Sequence, residues 1–446
     1  MLSRLVTSLF GPFSFKLKAP LNGVAVDSRL IQPGGLFFAL RGERVDGHRF
    51  LQEISQKGAY GAVIRRDFTG EVPSALPVVR VDDTLNALQS LARARIREVG
   101  ARVAAITGSV GKTTTKEFAR TLFSAAFPIT ATRGNNNSQI GMALSLLNDI
   151  RGDEKWLVVE MGMSEAGEIR RLTEIVPPDI ALIAAVAPVH AEFFESTERI
   201  AHAKAEIFEH PNTQWGLYNA DTLHAETLKS TGSCQKRAFS LQGDPQAFWA
   251  LQVYEGSVRI REGQEWFEFP CPTLPAPHVY DNLLAAIALA RTAQVPWEAI
   301  RQALPNLQLP KRRLEMVRKG GVLFINDAYN ACEVSMLSAL DVLSRHAPAR
   351  RVAVLGQMNE LGPLSEGCHR KVGEKSLESA DVLFCLGEGC APIVEVWRSN
   401  GRSCKWASSL HELTESLKAQ LKEGDVVLLK GSRSNELWKC VDIITL

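Results

Sequence analysis

Apolar and polar residues change their rhythm along the chain. Residues 1–82 mix short strand-like runs, VAVDSR, GGLFFAL and GAVIRR, with turns at Gly34-Gly35 and Asp46-Gly47. That mixture predicts a small α+β domain. In the following TLNALQSLARARIREVG, Leu85, Leu88, Leu91, Ala92 and Ile96 form an apolar stripe at helical spacing, with arginines elsewhere. The spacing predicts a helix leading into a new domain.

From Val103, continuous apolar runs alternate with helical segments. VAAIT (103–107), WLVVE (156–160), IALIAAV (180–186) and WGLYN (215–219) suit strands buried on both faces, as in parallel sheets. Segment 231–275 alternates instead, as in SVRIREGQEWFEF, and predicts an antiparallel excursion. Pro272, Pro275 and Pro277 break it, and the helix DNLLAAIALA follows. NLQLPKRRLE, around 306–315, reads as a hinge. Beyond it, strands are expected at 321–326, 351–355, 381–386 and 425–430, separated by helices. The expected fold is α/β in three domains. These are a small α+β domain (1–82), a central parallel sheet of phosphate-loop NTPase type (83–312) and a Rossmann-like α/β domain (313–446). Length agrees, since 446 residues at about 150 per domain give about three.

Composition narrows the function. Hydrophobic residues at 45% and charged residues at 22% describe a folded globular chain. Lys+Arg 51 against Asp+Glu 49 leaves +2, too near neutral for a protein that coats nucleic acid or anionic membrane. The eight cysteines include no C-x-x-C pair, so a zinc ribbon or thioredoxin-like motif is not expected, and a cytoplasmic setting is. The apolar run at the N-terminus is too short for a secretory signal. The longest apolar stretch, 180–189, is half a membrane span, so no span is expected.

The strongest chemical signal is TGSVGKTTTKE, which begins at Thr107, follows an apolar strand and opens a helix. Gly108 and Gly111 free backbone N–H groups to face phosphate oxygens, Lys112 can reach the terminal phosphates, and Thr113 can bind magnesium. Ile106 stands where the longer consensus has glycine, so the loop is a shortened one. Glu160 closes WLVVE, and His190 follows IALIAAVAP. In a parallel sheet both approach a nucleotide at the carboxyl ends of the strands. The alternative for Glu160 is a helix N-terminal carboxylate, and a lone histidine often satisfies a local carbonyl. Lys204 lies on the apolar stripe set by Ile200, Ile207 and Phe208. Either it snorkels to water or its nitrogen is paired or modified within a site. The asparagines of RGNNNSQIG either cap helix 139–148 or bind ligand. Arg312 and Arg313 at the hinge either close on a phosphate or are simply solvated.

These strings, with VDSR, PGGLFFALRGERVDGHRF, VVEMGMSEAGEI, APVHAEFF, IAHAKAEIF, PHVYDNLLAAIA, INDAYNACEVSM, GQMNELG and KGSR, occur in the order found in Mur ligases. The chain resembles that family along essentially its whole length. EMGMSEAGEI and DAYNA…SM favour a dipeptide-adding member, and the DNPR motif of the diaminopimelate-adding branch is missing.

The resemblance implies ATP-driven ligation of D-alanyl-D-alanine to UDP-N-acetylmuramoyl-tripeptide by a monomer that uses two Mg2+ ions. It assigns Asp27, Ser28, Arg29, Asp46, Gly47 and His48 to the UDP-substrate. Thr107, Gly108, Ser109, Val110, Gly111, Lys112, Thr113 and Thr114 would hold the ATP phosphates. Thr113 and Glu160 would serve one Mg2+, and Glu160 and His190 the second. Lys204 matches a carbamoylated lysine, and with Lys112, Glu160 and His190 forms the expected catalytic set. Asn282, Arg313, Asp327 and Asn330 match positions contacting adenine, phosphate or ribose. The third domain would receive the dipeptide. Cys332-Glu333, Gln357 and Pro277 depart from the family pattern. A folylpolyglutamate synthase, a diaminopimelate-adding ligase and a regulatory ATPase are the competing readings.

Overall fold

The computed structural model describes residues 2–13, 21–188, 194 and 196–443. His190 lies outside the described residues. Three sheets follow one another along the chain. The first has four short parallel strands, Val24–Ala25, Leu36–Phe38, Gly61–Arg65 and Val78–Val81, paired in chain order.

The helix Thr84–Val99 then leads to a nine-stranded sheet. Its parallel centre runs Trp215–Asn219, Ile180–Ile183, Arg102–Thr107, Trp156–Glu160 and Ile129–Ala131 in spatial order. The third sheet has six strands, with Glu315–Lys319 as an antiparallel edge on an otherwise parallel sheet.

Each central strand is apolar on both faces because each face meets a different core. Val103 and Ala105 join the core shared with the N-terminal sheet, while Ala104 and Ile106 face the helix Pro277–Thr292 and the core that continues into the third sheet. Leu157 and Val159 divide from Trp156 and Val158 in the same way. This is the two-residue period of a strand, with both faces dry. Among the described residues no helix is long and apolar enough to cross a membrane.

Three local expectations need correction. The strand expected over 180–186 ends at Ile183. Ala184 to Ala187 leave the sheet because their polar backbone holds the phosphate loop. The Ala184 N–H donates to Thr107 O (2.9 Å), and Ala185 O accepts from Ser109 N (2.7 Å). The antiparallel excursion starts late. Gln235–Ser240 pairs parallel on both sides, and only Trp249–Tyr254, Ser257–Glu262 and Glu265–Pro270 form the meander. Pro277 does not precede the helix but opens it, where its fixed φ fits and its missing N–H is no loss.

In the N-terminal sheet, Asp46 caps the short 3-10 turn Gly47–Phe50 by accepting from His48 N (3.0 Å). The His48 ring is buried with both nitrogens engaged, Nδ1 by Asp46 (2.6 Å) and Nε2 by the Arg65 N–H (3.0 Å). Gly47 sits against the neighbouring backbone, where a Cβ would come within 2.9 Å of Leu40 N and O and 3.0 Å of Ala39 Cα. Backbone cannot yield as a flexible side chain can. Gly47→Ala is therefore expected to lower unfolding free energy by about 1–3 kcal/mol. Urea denaturation checks it, and an unchanged midpoint would contradict the close approach.

Candidate active site

The strand Arg102–Thr107 delivers the phosphate loop to the carboxyl edge of the central sheet. Gly108 (φ +154°) and Gly111 (φ +83°) adopt backbone conformations that L side chains rarely take, and a Cβ on Gly111 would overlap Asn282 Oδ1. The loop rim is tied down by the Ser109 hydroxyl, which donates to Ala187 O (3.0 Å). The helix Lys112–Ser124 begins at the loop, and its first N–H groups have no intrahelical partners, which suits an anion. The Lys112 ammonium folds back onto Gly108 O (2.7 Å) and Ser109 O (3.2 Å). Burial holds its pKa below the ordinary lysine value, Glu160 opposes that shift, and Arg313 adds to it.

A cavity of about 650 Å³ opens here, between the central and third sheets. Ser109, Val110, Gly111, Lys112, Thr113, Thr114 and Glu160 line it from the central sheet. Asn282 lines it from the helix Pro277–Thr292, and Arg313, Asp327 and Asn330 line it from the far side. Thr107 and Gly108 support the loop from beneath and do not line the cavity. Asp27, Ser28, Arg29, Asp46, Gly47 and His48 are likewise elsewhere, on the N-terminal sheet. Asp27 there pairs with Arg29 (2.6 Å), whose hydrogen bonds lower the Asp27 pKa to about 2. Ser28 donates to Glu53 Oε2 (2.9 Å).

Glu160 ends its strand fully buried. Oε1 accepts from Asn137 Nδ2 (2.7 Å), while Oε2 is buried without any hydrogen-bond partner among the described residues. A buried, unmatched carboxylate oxygen facing a phosphate site is a fit for a divalent cation, and the Thr113 hydroxyl is a second oxygen donor on the same cavity. Among the described residues no three His, Cys, Asp or Glu gather into a metal cage. Asn137 resolves the asparagine-rich segment: it holds Glu160, and Ser138 is the residue that caps the next helix.

Lys204 does not snorkel. It is 1% exposed, and among the described residues nothing accepts a hydrogen bond from its ammonium. Burial, and then the Lys112 charge, push its pKa well below 10.5.

Arg313 bridges the two sheets. Its guanidinium donates to Thr113 Oγ1 (3.0 Å) across 200 residues of sequence and lies 4.3 Å from the Tyr329 ring centre. Its neighbours Arg312 (φ +63°) and Leu314 (φ +50°) both hold left-handed backbone that non-glycine residues seldom adopt. Asp327 fastens this junction, accepting from the Leu314 N–H (3.1 Å) and pairing with the buried Lys430 (2.5 Å).

Three cavity residues escaped the sequence reading as individual site residues. Lys430 and Tyr329 sit in strings that were recognised, KGSR and DAYNA. Asp281 sits in PHVYDNLLAAIA, but only the fold brings it near Asp221. Burial and that neighbouring charge push its carboxyl up to about 7.

The Mur ligase family catalytic domain matches residues 20–96, the Mur ligase middle domain residues 106–290, and the Mur ligase glutamate ligase domain residues 312–433. The chain belongs to the Mur ligase family. It is 35% identical over 426 residues to the UDP-N-acetylmuramoyl-tripeptide–D-alanyl-D-alanine ligase of Treponema pallidum, covering 93% of this chain and 91% of that one. Its structure is similar to that of MurF from Acinetobacter baumannii, with a TM-score of 0.86 and 27% identity over 98% of this chain and 97% of that one. MurF ligase from Thermotoga maritima in complex with ADP gives a TM-score of 0.79 and 28% identity, over 95% and 96% of the two chains.

Lys204 provides a test of the site's electrostatics. Between its lowered native pKa and 10.5 the unfolded chain binds more protons than the folded one. Stability therefore rises with pH through that window, and the penalty is fully present below it. Lys204→Met is expected to stabilise the fold by about 1 kcal/mol or more at neutral pH. It also flattens the rise in urea midpoint on going to alkaline pH. A variant no more stable than the parent, with the same pH slope, would contradict the desolvated amine.

Proposed function

We propose that the protein joins D-alanyl-D-alanine to UDP-N-acetylmuramoyl-tripeptide, with ATP converted to ADP and phosphate, in peptidoglycan precursor synthesis. The observation that carries this reading is the single cavity where a phosphate loop, a half-satisfied buried carboxylate and a cross-sheet arginine converge. The full-length likeness to tripeptide–dipeptide ligases and the ADP complex of a relative support it.

The N-terminal sheet, with Asp27 to Arg29 and Asp46 to His48, receives the UDP-sugar. The loop from Thr107 to Thr114 cradles the ATP phosphates, Asn282 and Asp327 orient the nucleoside, and the third domain receives the dipeptide. Domain boundaries near 82 and 312 separate the three substrates. The tripeptide carboxylate attacks the γ-phosphorus, the bond to the β-phosphate oxygen breaks, and an acyl phosphate and ADP form. Phosphoryl transfer needs charge neutralisation and alignment more than covalent help. Lys112 supplies charge, and Arg313 holds the closed arrangement in line. Glu160 and Thr113 would hold one Mg2+ and His190 would serve a second, and ions bound there would neutralise further phosphate charge. The dipeptide amine then attacks the acyl carbon and phosphate leaves. Closure of the third domain excludes water that would hydrolyse the acyl phosphate.

Lys204 is carbamoylated in the active enzyme. Once deprotonated, its buried amine attacks CO2, forms a C–N bond and releases one proton, and the product is a carbamate anion suited to the metal site. The chain works as a monomer in the cytoplasm. The cavity is complete within one chain, and eight free cysteines suit a reducing compartment.

ADP release is measured against a panel of UDP-muramoyl peptides and amine acceptors. Release is expected only with tripeptide and D-alanyl-D-alanine together. ADP formation that ignores both substrates would sink the ligase reading in favour of a regulatory ATPase. Lys112→Ala should fold normally and lose at least about a thousandfold in turnover; normal turnover in the folded variant would remove the phosphate loop from the mechanism. Decarbonated protein should lose activity and regain it with bicarbonate. Labelled bicarbonate should give a carbamate NMR signal that Lys204→Met lacks, and full activity without that signal would overturn the modification.

A further inference from the structure

Lys116 is a second buried lysine, one helical turn beyond Lys112, and it does not line the cavity. An ammonium has three donors, and all three are used here. They reach Thr132 O (2.6 Å), Gly134 O (2.9 Å) and Glu117 Oε1 (2.7 Å). Two of these acceptors belong to the segment that leaves the edge strand Ile129–Ala131. The same segment grips Glu160 twice. Thr132 Oγ1 accepts from the Glu160 N–H (3.1 Å), and Asn137 Nδ2 donates to Glu160 Oε1 (2.7 Å). Asn137 O also accepts from the Gly162 N–H (2.9 Å), fixing the chain two residues beyond Glu160.

We propose that Lys116 is a positioning residue for the metal-facing carboxylate: it clasps the 132–137 segment to the phosphate-loop helix and so fixes where the free oxygen of Glu160 points. The proposal rests on the metal role given to Glu160 above. The physical reason is the cost of leaving buried carbonyls without a donor. Removing the ammonium orphans Thr132 O and Gly134 O together, and the segment must shift to find new partners. Both grips on Glu160 then move with it. Groups that orient a metal ligand without touching the metal commonly control its affinity. A clasp that served stability alone would lower the melting temperature and leave metal affinity unchanged.

The test compares the full chain with Lys116→Met and Lys116→Gln. Mn2+ affinity is read by electron paramagnetic resonance in the presence of ADP, and ADP affinity is read separately without metal. The Mn2+ dissociation constant is expected to rise about 10- to 100-fold in K116M, with a smaller rise in K116Q, which keeps a donor. Metal-free ADP affinity should stay within about 2-fold, and the Mg2+ requirement for turnover should rise in step. Wild-type Mn2+ affinity in folded K116M overturns the proposal, as does an equal loss of metal-free ADP binding. If K116M fails to fold, K116Q is judged by the same two affinities. Glu160→Gln separates the two layers: undiminished Mn2+ affinity in that variant would overturn the metal role of Glu160 itself.

Discussion

The centre of the molecule is organised by one buried carboxylate that the protein satisfies only by half. Asn137 meets one oxygen of Glu160, and the other is left bare in a place water does not reach freely. An unpaired buried charge is costly, so such an arrangement persists where something else completes it. Beside it, Lys112 and Arg313 present two cationic groups to the same cavity. A polyphosphate with its divalent cation would suit this arrangement, the cation at the bare oxygen and the phosphates at the two cationic groups.

Holding that centre requires the third sheet to sit close. Arg313 reaches Thr113 only because the chain turns sharply at Arg312 and Leu314, both in left-handed backbone. Non-glycine residues held there carry strain, and strain at a junction between two sheets is consistent with a junction that moves. Asp327 and Lys430 keep the turn in register from the third-sheet side. The two apolar cores tell the same story from the packing side. One joins the N-terminal sheet to the central one, and the other runs from the central sheet into the third.

Much of this was legible in the sequence, for reasons that differ by residue. The phosphate loop declares itself because its glycines, lysine and threonine act locally, at fixed spacing, between a strand and a helix. The parallel strands declare themselves because two cores make them apolar at every position. Strand ends were less legible: Ile183 ends its strand because the next backbone groups are needed by Ser109, a contact no local pattern encodes. Lys204 on an apolar stripe pointed to something unusual but could not distinguish snorkelling from burial. His48 shows a similar limit. Its motif is local, but one of the two contacts that brace its ring comes from the Arg65 N–H, which only the fold brings near. Asp281 and Lys116 sit inside recognised strings, PHVYDNLLAAIA and TGSVGKTTTKE, but their partners Asp221, Thr132 and Gly134 lie outside those strings, so their individual roles were not legible.

The central claim is that the bare oxygen of Glu160 is the protein's cation ligand beside a nucleotide on the phosphate loop. Crystals of the chain grown with ADP and Mn2+ test it most directly, by anomalous scattering at the manganese edge. The account predicts a manganese peak at bonding distance from Glu160 Oε2, next to the ADP phosphates. Manganese on the phosphates with Glu160 uncoordinated would contradict it.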